Sequence, residues 1–262
     1  MKRLSVLGHP VAHSRSPAMQ TAALAALGLG DEWSYEAIDV APDGFERLVR
    51  DLPARGFVGA NVTVPHKSAA LAVADTLSET AREIGAANTL TLDAGEVTAD
   101  NTDAAGLLAS LPASPAGSRA LVLGAGGAAR AVVWALLREG AAVEVWNRTP
   151  LRSQNLCGEL GGVPVEAPDA ATYDLIVNST AVGLGAEDPF EALPLRADGF
   201  ASGQIVVDMV YGGEPTALLR AAEAAGARTV DGIEVLVQQG ALSLQAWTGR
   251  EAPLDAMRAA LG

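Results

Sequence analysis

The chain contains sixteen arginines and two lysines, and only one of the lysines, Lys67, lies in the interior of the sequence. Because the composition favours arginine at other cationic positions, Lys67 indicates a site that requires an amine. A desolvated ammonium group can lose its proton near neutrality, whereas a guanidinium group stays charged. We therefore interpret Lys67 as a candidate for proton transfer, with a solvated surface lysine as the alternative.

Asparagine is unevenly distributed as well. Five of the six asparagines lie at or beside the ends of predicted strands: Asn61, Asn88, Asn101, Asn147 and Asn178. In α/β enzymes, ligands bind at the carboxyl ends of the strands. The distribution therefore predicts that the functional side chains gather at strand ends.

The segment that carries Lys67 joins a predicted strand to a predicted helix. Asn61-Val62-Thr63-Val64-Pro65-His66-Lys67 has proline where a helix would begin, which places Lys67 in the first helical turn. The helix dipole disfavours a cation there by about 0.3–1 kcal/mol. A purely structural lysine would be better placed at the other end of the helix, so the position favours a functional role.

Asp103 is the second candidate for acid–base chemistry. It follows Asn101-Thr102 and precedes the helical run 104–111. Asp is among the preferred residues at a helix N-cap, and from position alone the helix cap is the favoured interpretation. A catalytic carboxylate is the alternative.

Ser14-Arg15-Ser16-Pro17 predicts a further helix start, with proline at the first helical position. Two hydroxyl groups and the N–H groups of a helix start could together hold a carboxylate. A simple helix cap explains Ser16 in part. The three histidines lack the spacing of metal ligands, and we predict no metal site.

A glycine-rich turn follows the predicted strand 121–123 and opens a helix, in the pattern G-x-G-x-x-A. Its glycines permit a tight turn and let backbone N–H groups approach a pyrophosphate at the positive end of the helix. The strand before and the helix after are the context that a dinucleotide-binding motif requires, although an ordinary β–α turn is the alternative. The candidate contacts are Gly124, Ala125, Gly126, Gly127 and Ala128.

The end of the next predicted strand distinguishes two cofactors. NAD sites usually carry Asp or Glu about twenty residues beyond the loop, where it binds the ribose 2′-hydroxyl. This chain has Asn147-Arg148-Thr149 there, followed by Arg152. Arginine binds a 2′-phosphate through charge-assisted hydrogen bonds. We therefore predict NADP, with two solvated surface arginines as the alternative.

Short β-branched segments alternate with helical segments rich in Ala and Leu. The predicted strands include residues 4–7, 58–64, 121–123, 143–146, 175–177 and 205–207, and the predicted helices include 17–27, 128–138 and 217–225. This alternation is typical of parallel sheets with helices on both faces. Residues 111–118 have linker composition, so we place a domain boundary between the Asp103 region and Leu111.

The composition argues against several classes of partner. A net charge of −13 would repel nucleic acid and anionic membrane surfaces. No apolar run approaches the roughly 18 residues of a membrane span. The single cysteine, Cys157, fits a reducing compartment and is best explained as a small buried apolar residue. We expect a cytoplasmic protein of two modest domains.

Taken together, these segments resemble the shikimate dehydrogenase family, in the same order over essentially the whole chain. The motifs that carry the resemblance are Gly8-x-Pro10-x-x-His13-Ser14-x-Ser16-Pro17, Asn61-Val62-Thr63-x-Pro65-x-Lys67, Gly85-Ala86-x-Asn88-Thr89, Asn101-Thr102-Asp103, residues 124–131, Asn147-Arg148-Thr149, Asp208-Met209-Val210-Tyr211, and Asp231-Gly232 followed by Leu236-Val237-x-Gln239. The resemblance implies reversible NADPH-dependent reduction of 3-dehydroshikimate to shikimate, in aromatic amino-acid biosynthesis.

The resemblance also implies an α/β fold of two domains. Residues 1–104 and 235–262 would form a substrate-binding domain with a mostly parallel sheet. Residues 105–234 would form a Rossmann-type NADP-binding domain. The helices from about Val235 onward would return to pack on the first domain, which the strand and helix pattern alone does not indicate.

Residue roles are implied by position in the same motifs. Ser14 and Ser16 would hold the substrate carboxylate, and Lys67 and Asp103 would flank the reacting oxygen. The contacts to the ring hydroxyls would come from Thr63, Asn88, Asp103, Tyr211 and Gln239. The cofactor would be bound by Gly124, Ala125, Gly126, Gly127, Ala128, Asn147, Arg148, Thr149 and Arg152, with Met209 and Gly232 near the nicotinamide.

Two positions depart from the family pattern. The usual Tyr-Asn-Pro is Tyr211-Gly212-Gly213 here, and Val235 stands where Met is common. The alternatives are a quinate/shikimate dehydrogenase that prefers NAD, a non-catalytic dinucleotide-binding sensor of the same fold, and a methylenetetrahydrofolate dehydrogenase, which would not explain the Ser14 and Ser16 pair. The sequence is equally compatible with a monomer and a homodimer.

Overall fold

The computed structural model describes residues 1–185, 188–212 and 214–262. The strands are β1 (Lys2–Gly8), β2 (Trp33–Asp39), β3 (Phe57–Val62), β4 (Thr76–Leu77), β5 (Thr89–Asp93), β6 (Glu96–Asp100), β7 (Arg119–Leu123), β8 (Ala142–Trp146), β9 (Val163–Pro164), β10 (Leu175–Asn178), β11 (Ile205–Asp208) and β12 (Arg228–Val230). The helices are α1 (Ser16–Ala26), α2 (Phe45–Asp51), α3 (Ala69–Val73), α4 (Glu79–Ile84), α5 (Asp103–Ser110), α6 (Gly127–Arg138), α7 (Pro150–Leu160), α8 (Pro189–Ala192), α9 (Ala217–Ala224), α10 (Gly232–Thr248) and α11 (Leu254–Ala259).

The chain divides into two compact units. The first contains Met1–Gly106 and Leu236–Gly262, and the second contains Leu107–Val235. Helices α5 and α10 each cross a point of division. The C-terminal segment therefore belongs to the first unit, as the resemblance implied.

The sheet of the first unit has the strand order β2-β1-β3-β5-β6-β4. Strand β5 runs antiparallel to both of its neighbours, and the other pairs are parallel. The prediction of a mostly parallel sheet is confirmed. The tight hairpin between β5 and β6 was not among the predicted elements; its two turn residues, Ala94 and Gly95, have φ of 50° and 89°, as a type I′ hairpin requires.

Because β5 is reversed, its first residue lies at the edge where β3 and β6 end. Thr89 pairs with Asn61 of β3 and with Asp100 of β6. Asn88 precedes β5 and Asn101 follows β6, so three of the asparagines noted in the sequence lie along one edge of the sheet. The reversal thus gathers amide side chains from distant segments of the chain.

The sheet of the second unit has the order β12-β11-β10-β7-β8-β9 and is parallel throughout. Its strand order changes direction between β7 and β10, and this is the place where open α/β sheets bind ligands. The predicted Rossmann-type architecture is confirmed. Asn178 ends β10 and Asn147 follows β8, so both lie at the carboxyl edge of this sheet.

The cores consist largely of Ala, Val and Leu, as the low aromatic content of 4% implied. Cys157 packs in the core of the second unit, and burial raises the pKa of its thiol. It therefore behaves as a small apolar residue. None of the described helices combines the length and apolar character that would let it cross a membrane.

The end of the chain packs on the start of the first unit. Gln20 of α1 donates from Nε2 to the carbonyl oxygen of Gly240 at 2.9 Å, and Arg15 donates to the carbonyl oxygen of Leu261. Helix α11 also packs against α1. These contacts fix α10 and the end of the chain to the first unit, which confirms the predicted return of the C-terminal helices.

Helices α5 and α10 approach each other closely because residue 106 is glycine. A Cβ atom at Gly106 would lie 2.6 Å from Cβ and 2.7 Å from the backbone nitrogen of Gln239. We expect Gly106→Ala to lower the free energy of unfolding by about 1–3 kcal/mol, since backbone must move to relieve the overlap. Chemical denaturation would measure the change.

Gly158→Ala is the matched control, since Gly158 lies within helix α7 and its Cβ would meet open space. Alanine is the better helix former, so this variant should be stabilised by roughly 0.5–1 kcal/mol. Equal stability changes in the two variants would contradict the close approach at Gly106.

Candidate active site

A buried ion pair lies at the edge of the first sheet. Lys67 donates from Nζ to Oδ2 of Asp103 at 2.5 Å, and their side chains are 13% and 6% exposed. In the part of the chain that the structure describes, Asp103 is the one hydrogen-bond partner of Nζ. An ammonium group has three N–H donors, so two remain available to a ligand.

The carboxylate of Asp103 does not cap helix α5. The cap comes from Asn101, whose Oδ1 accepts the backbone N–H groups of Asp103 at 3.0 Å and Ala104 at 3.4 Å. Asp103 is instead shared between Lys67 and Asn88, whose Nδ2 donates to Oδ1 at 2.9 Å. Of the two interpretations that the sequence left open, the structure excludes the helix cap.

The prediction that Lys67 lies in the first turn of a helix is wrong. Helix α3 begins at Ala69, and Lys67 lies in the preceding turn. The carbonyl oxygen of Lys67 accepts the N–H group of Ala87 at 2.8 Å, so it bonds to the loop before β5 instead of continuing a helix. This contact places Lys67 beside Asn88. Because Lys67 precedes the helix, the unfavourable effect of the helix dipole on a cation in the first turn does not apply to Lys67.

His66 anchors this turn, which sequence analysis did not recognise. Its ring is 1% exposed, stacks on Phe45 with centroids 4.4 Å apart, and contacts the carbonyl oxygen of Val40 through Nε2 at 2.8 Å. The ring therefore holds the residue next to Lys67 in the core. Its adjacency to Lys67 was the signal in the sequence.

Backbone groups fix the orientation of Asn88 and Gln239. Oδ1 of Asn88 accepts the N–H group of Thr102 at 2.7 Å, so its Nδ2 must face Asp103. Nε2 of Gln239 donates to the carbonyl oxygen of Leu236 at 2.8 Å, so its Oε1 accepts from Asn88 at 3.1 Å. The structure thus brings together Lys67, Asn88, Asp103 and Gln239.

Ser14 and Thr63 lie in neighbouring loops at the same edge of the sheet, and Ser16 is the first residue of α1. The N–H group of Thr63 donates to the carbonyl oxygen of Leu7, next to the start of the loop that carries the two serines. Oγ of Ser14 accepts the N–H group of Ser16 at 3.3 Å, and α1 begins at Ser16 with proline in its first turn. No hydrogen bond joins these three residues to the ion pair in the described part of the chain.

The glycine-rich loop of the second unit has a geometry that suits a dinucleotide. Gly124 has φ of +110°, and a Cβ there would lie 2.9 Å from Oγ of Ser179. A Cβ at Gly126 would meet open space, and no side chain of the described residues caps the start of helix α6 at Gly127. The N–H groups at the N-terminus of α6, beside Ala125 and Ala128, therefore have no side-chain cap among the described residues, an arrangement that suits an anion.

Arg148 and Arg152 are exposed at the end of β8 and in α7. Within residues 1–185, 188–212 and 214–262, neither forms an ion pair. Asn147 donates from Nδ2 to the carbonyl oxygen of Thr149 at 3.0 Å, which shapes the turn between them. Two guanidinium groups without an acidic partner among the described residues thus follow β8, the strand next to β7 and its glycine-rich loop.

Gly232 allows helix α10 to begin against the end of β11. A Cβ there would lie 2.5 Å from the carbonyl oxygen of Met209. Val235 is 3% exposed and belongs to the apolar core of the second unit. Tyr211 and Gly212 follow Met209, and Gly213, part of the departure from the family pattern, lies outside the described residues.

Comparison with known proteins agrees with this geometry. Residues 6–90 match a family described as the shikimate dehydrogenase substrate binding domain, residues 108–184 match shikimate / quinate 5-dehydrogenase, and residues 232–261 match the shikimate 5′-dehydrogenase C-terminal domain. A shikimate dehydrogenase (NADP(+)) of Thermus thermophilus is 47% identical over 95% of this chain and 93% of its own length. The chain belongs to the shikimate dehydrogenase family.

Two further similarities support this membership. The shikimate dehydrogenase (NADP(+)) of an Anaeromyxobacter species is 45% identical over 98% of this chain and 94% of its own length. The crystal structure of shikimate 5-dehydrogenase from Thermus thermophilus in complex with NADP(H) and shikimate has a TM-score of 0.91 and 45% identity, and covers 100% of this chain and 98% of that one. The predicted family and two-domain fold are confirmed.

In this shikimate dehydrogenase family member, a buried carboxylate organises the loop after β11. Asp208 is 1% exposed and accepts hydrogen bonds from Nδ2 of Asn178 at 2.9 Å, the hydroxyl of Thr216 at 2.6 Å and the N–H group of Val210 at 3.1 Å. It therefore ties β10, helix α9 and the segment beginning at Met209 to one point. Burial raises the pKa of Asp208 in spite of these three hydrogen bonds.

We expect the stability contributed by Asp208 to fall as the pH rises. Because its folded-state pKa lies above the ordinary value of 3.8, the folded protein holds this proton more tightly than the unfolded chain does. The free energy of unfolding of the parent protein, relative to Asp208→Asn, should therefore decrease from about pH 4 toward pH 7. Urea denaturation of both proteins over this range measures the difference, and a difference that is independent of pH would contradict the assignment.

Proposed function

We propose that this chain catalyses the reversible NADP-dependent reduction of 3-dehydroshikimate to shikimate, a step in aromatic amino-acid biosynthesis. The observation that carries the proposal is the buried Lys67–Asp103 pair, whose ammonium group keeps two N–H donors for a ligand. A catalytic pair of this kind serves a reaction in which charge develops on a substrate oxygen. Membership of the shikimate dehydrogenase family supplies the substrate class.

Residues of the second unit fit the cofactor. The open space at Gly126 and the uncapped N-terminus of α6 suit a pyrophosphate, and we assign this contact to the loop 124–128. Arg148 and Arg152 suit a 2′-phosphate, because they carry positive charge with no acidic partner in the described residues. We assign the nicotinamide to the vicinity of Met209 and Gly232, on the resemblance to the family.

Residues of the first unit fit the substrate. We assign the carboxylate to Ser14 and Ser16, at the start of α1. We assign the ring hydroxyl groups to Thr63, Asn88, Asp103 and Gln239, the last three of which are joined by hydrogen bonds. Tyr211 belongs to the second unit, so its assignment as a substrate contact rests on the resemblance alone.

The two units of the chain correspond to the proposed binding of substrate and of cofactor. We propose that residues 1–104 and 235–262 form the substrate-binding domain and that residues 105–234 form the NADP-binding domain. We also propose a cytoplasmic location, where NADPH is available and where the single cysteine, Cys157, would stay reduced.

The mechanism follows from charge. NADP(H), when bound, would supply the hydride for the carbonyl carbon of the substrate. Lys67 would stabilise the negative charge that develops on the carbonyl oxygen with an N–H donor, and would supply a proton to it. Asp103 pairs with the ammonium group and directs it, because an unpaired cation at 13% exposure would be poorly solvated.

Two alternatives make different predictions. A quinate/shikimate dehydrogenase that prefers NAD would carry an acid at the end of β8, whereas this chain has Arg148 there. A non-catalytic sensor would have no need for a buried ion pair with unpaired donors. The proposed function is tested by following NADPH formation with shikimate and NADP, and NADH formation with shikimate and NAD and with quinate and NAD. An NADP preference of about 100-fold or more is expected from two charge-assisted contacts.

Lys67→Arg tests the requirement for an amine. Arginine keeps the charge, but its fork is bulkier and does not release a proton at accessible pH. We expect kcat to fall by about 100-fold or more, while the KM for NADP changes little, because the cofactor contacts lie in the second unit. Steady-state kinetics and the melting temperature on the same preparation measure both effects.

Lys2→Arg is the control, since Lys2 lies over the Trp33 ring with 4.8 Å between Nζ and the ring centroid, and has no proposed part in the reaction. It should leave kcat unchanged. Near-normal turnover in Lys67→Arg would reduce Lys67 to a replaceable positive charge.

Arg148→Ala tests the recognition of the 2′-phosphate. Loss of a charge-assisted hydrogen bond of about 1.5–3 kcal/mol should raise the KM for NADP by roughly 10-fold or more and leave that for NAD nearly unchanged. Arg196→Ala is the control, because Arg196 is exposed and paired with Asp198 at 2.9 Å. Equal changes for both cofactors would show that Arg148 does not contact the 2′-phosphate.

A further inference from the structure

A cluster of uncharged polar side chains is buried beside the candidate active site. It consists of Tyr35, Asn61, Thr89, Thr102 and Ser243, each at most 7% exposed, and we call it the hydroxyl cluster. Its members come from β2, β3, β5, the segment before α5, and α10. Ser243 is 0% exposed and contacts three other members: Asn61 at 2.9 Å, Thr89 at 2.8 Å and Thr102 at 3.1 Å.

The orientation of the Asn61 amide sets the direction of the hydrogen bonds in the hydroxyl cluster. Nδ2 of Asn61 donates to the backbone carbonyl oxygen of Asn88 at 3.2 Å, so the amide cannot be reversed without losing this bond. Oδ1 of Asn61 accepts the Tyr35 hydroxyl at 2.7 Å. Nδ2 also donates to Oγ of Ser243, which leaves the one proton of that hydroxyl for a threonine or for the carbonyl oxygen of Gln239 at 3.1 Å.

The other end of the cluster reaches the ion pair. Oγ1 of Thr102 accepts from Nδ2 of Asn88 at 2.9 Å, and Oγ1 of Thr89 donates to Oδ1 of Asn88 at 3.0 Å. Asn88 in turn donates to Asp103. Three successive hydrogen bonds therefore lead from Ser243 through Thr102 and Asn88 to the carboxylate that holds Lys67.

We propose that Ser243 is a positioning residue for the reaction assigned above, and this inference rests on the proposed function. Its hydroxyl holds Thr89 and Thr102 against Asn88, so that the amide of Asn88 stays directed at Asp103 and Gln239. The ammonium group of Lys67 is thereby kept in one orientation toward the reacting oxygen. Ser243 does not itself touch the pair.

A role in helix stability alone does not account for Ser243. Alanine is the better helix former at an interior position of α10, and the bond from serine to a carbonyl one turn earlier adds little to a helix. What the hydroxyl provides is a junction between strands β3 and β5 and the segment before α5. Polar groups that are buried together stabilise one arrangement only when all of them are paired.

The test compares Ser243→Ala with Ser153→Ala. Ser153 is 2% exposed in helix α7 and donates to the carbonyl oxygen of Pro150 at 2.8 Å, so each variant loses one buried hydroxyl from a helix. We expect Ser243→Ala to lower kcat by about 10- to 100-fold, the scale of a small misplacement of catalytic groups, with less than about a threefold change in the KM for shikimate. Its pH profile of kcat should shift, and that of Ser153→Ala should match the parent protein.

A second pair of variants decides the question if Ser243→Ala does not fold. Thr102→Val removes the next hydroxyl without changing the shape, and Thr102→Ser retains it. Thr102→Val should reproduce the expected loss of kcat, and Thr102→Ser should restore most of it. Where Ser243→Ala does fold, its effect and that of Thr102→Val should not add.

The outcomes separate the two proposals. Parent-like kcat and pH profile in Ser243→Ala, or equal kinetics in Thr102→Val and Thr102→Ser, would overturn the positioning role while the proposed function stands. Absence of NADPH formation by the parent protein with shikimate and NADP would overturn the proposed function itself.

Discussion

Burial of one ion pair constrains the first unit more than any other interaction. Removing an ammonium group and a carboxylate from water costs several kcal/mol per ion unless good geometry and further hydrogen bonds offset it. The pair of Lys67 and Asp103 meets this requirement through Asn88, which supplies the second hydrogen bond to the carboxylate. Once Asn88 is committed to Asp103, its own amide must be oriented, and the backbone N–H group of Thr102 does this.

The requirement that buried polar groups be paired also applies to the residues around Asn88. Each polar group that orients Asn88 is itself buried and must be paired, because an unpaired polar group in the interior costs about 1–3 kcal/mol. Gln239, Thr89, Thr102 and Ser243 complete this arrangement, and Tyr35 closes it at the far end. Lys67 and Asp103 are thus held by a network that reaches from β2 to α10, instead of by the loop that carries Lys67 alone.

Close backbone approach is the second constraint, and it depends on glycine. Gly106 lets α5 and α10 meet, which brings Gln239 to Asn88. In the second unit, Gly124 packs on Ser179, and Gly232 packs on Met209. Any side chain at these positions would separate the elements that carry the proposed ligand contacts. In both units, the absence of a Cβ atom therefore allows these elements to pack closely.

Local chemistry determined much of this protein from sequence alone. The glycine-rich loop, the two arginines after β8 and the alternation of strands and helices follow from short segments, because tight turns, charge and periodicity are local properties. The isolated lysine and the asparagines at strand ends identified the residues that the structure gathers at sheet edges. The roles of individual residues came from resemblance to a family, and they stay proposals.

Other features were decided only by tertiary structure. The sequence placed Lys67 in a helix, but its carbonyl oxygen bonds to Ala87, a partner from a distant loop that no local pattern reveals. Asp103 has the position of a helix cap, and only the proximity of Lys67 and Asn88 assigns its carboxylate to another task. The structural roles of His66, Gly106 and Ser243 depend on tertiary structure for the same reason: their contacts join residues far apart in the chain. Those of Gly106 and Ser243 exist only after α10 has returned to the first unit.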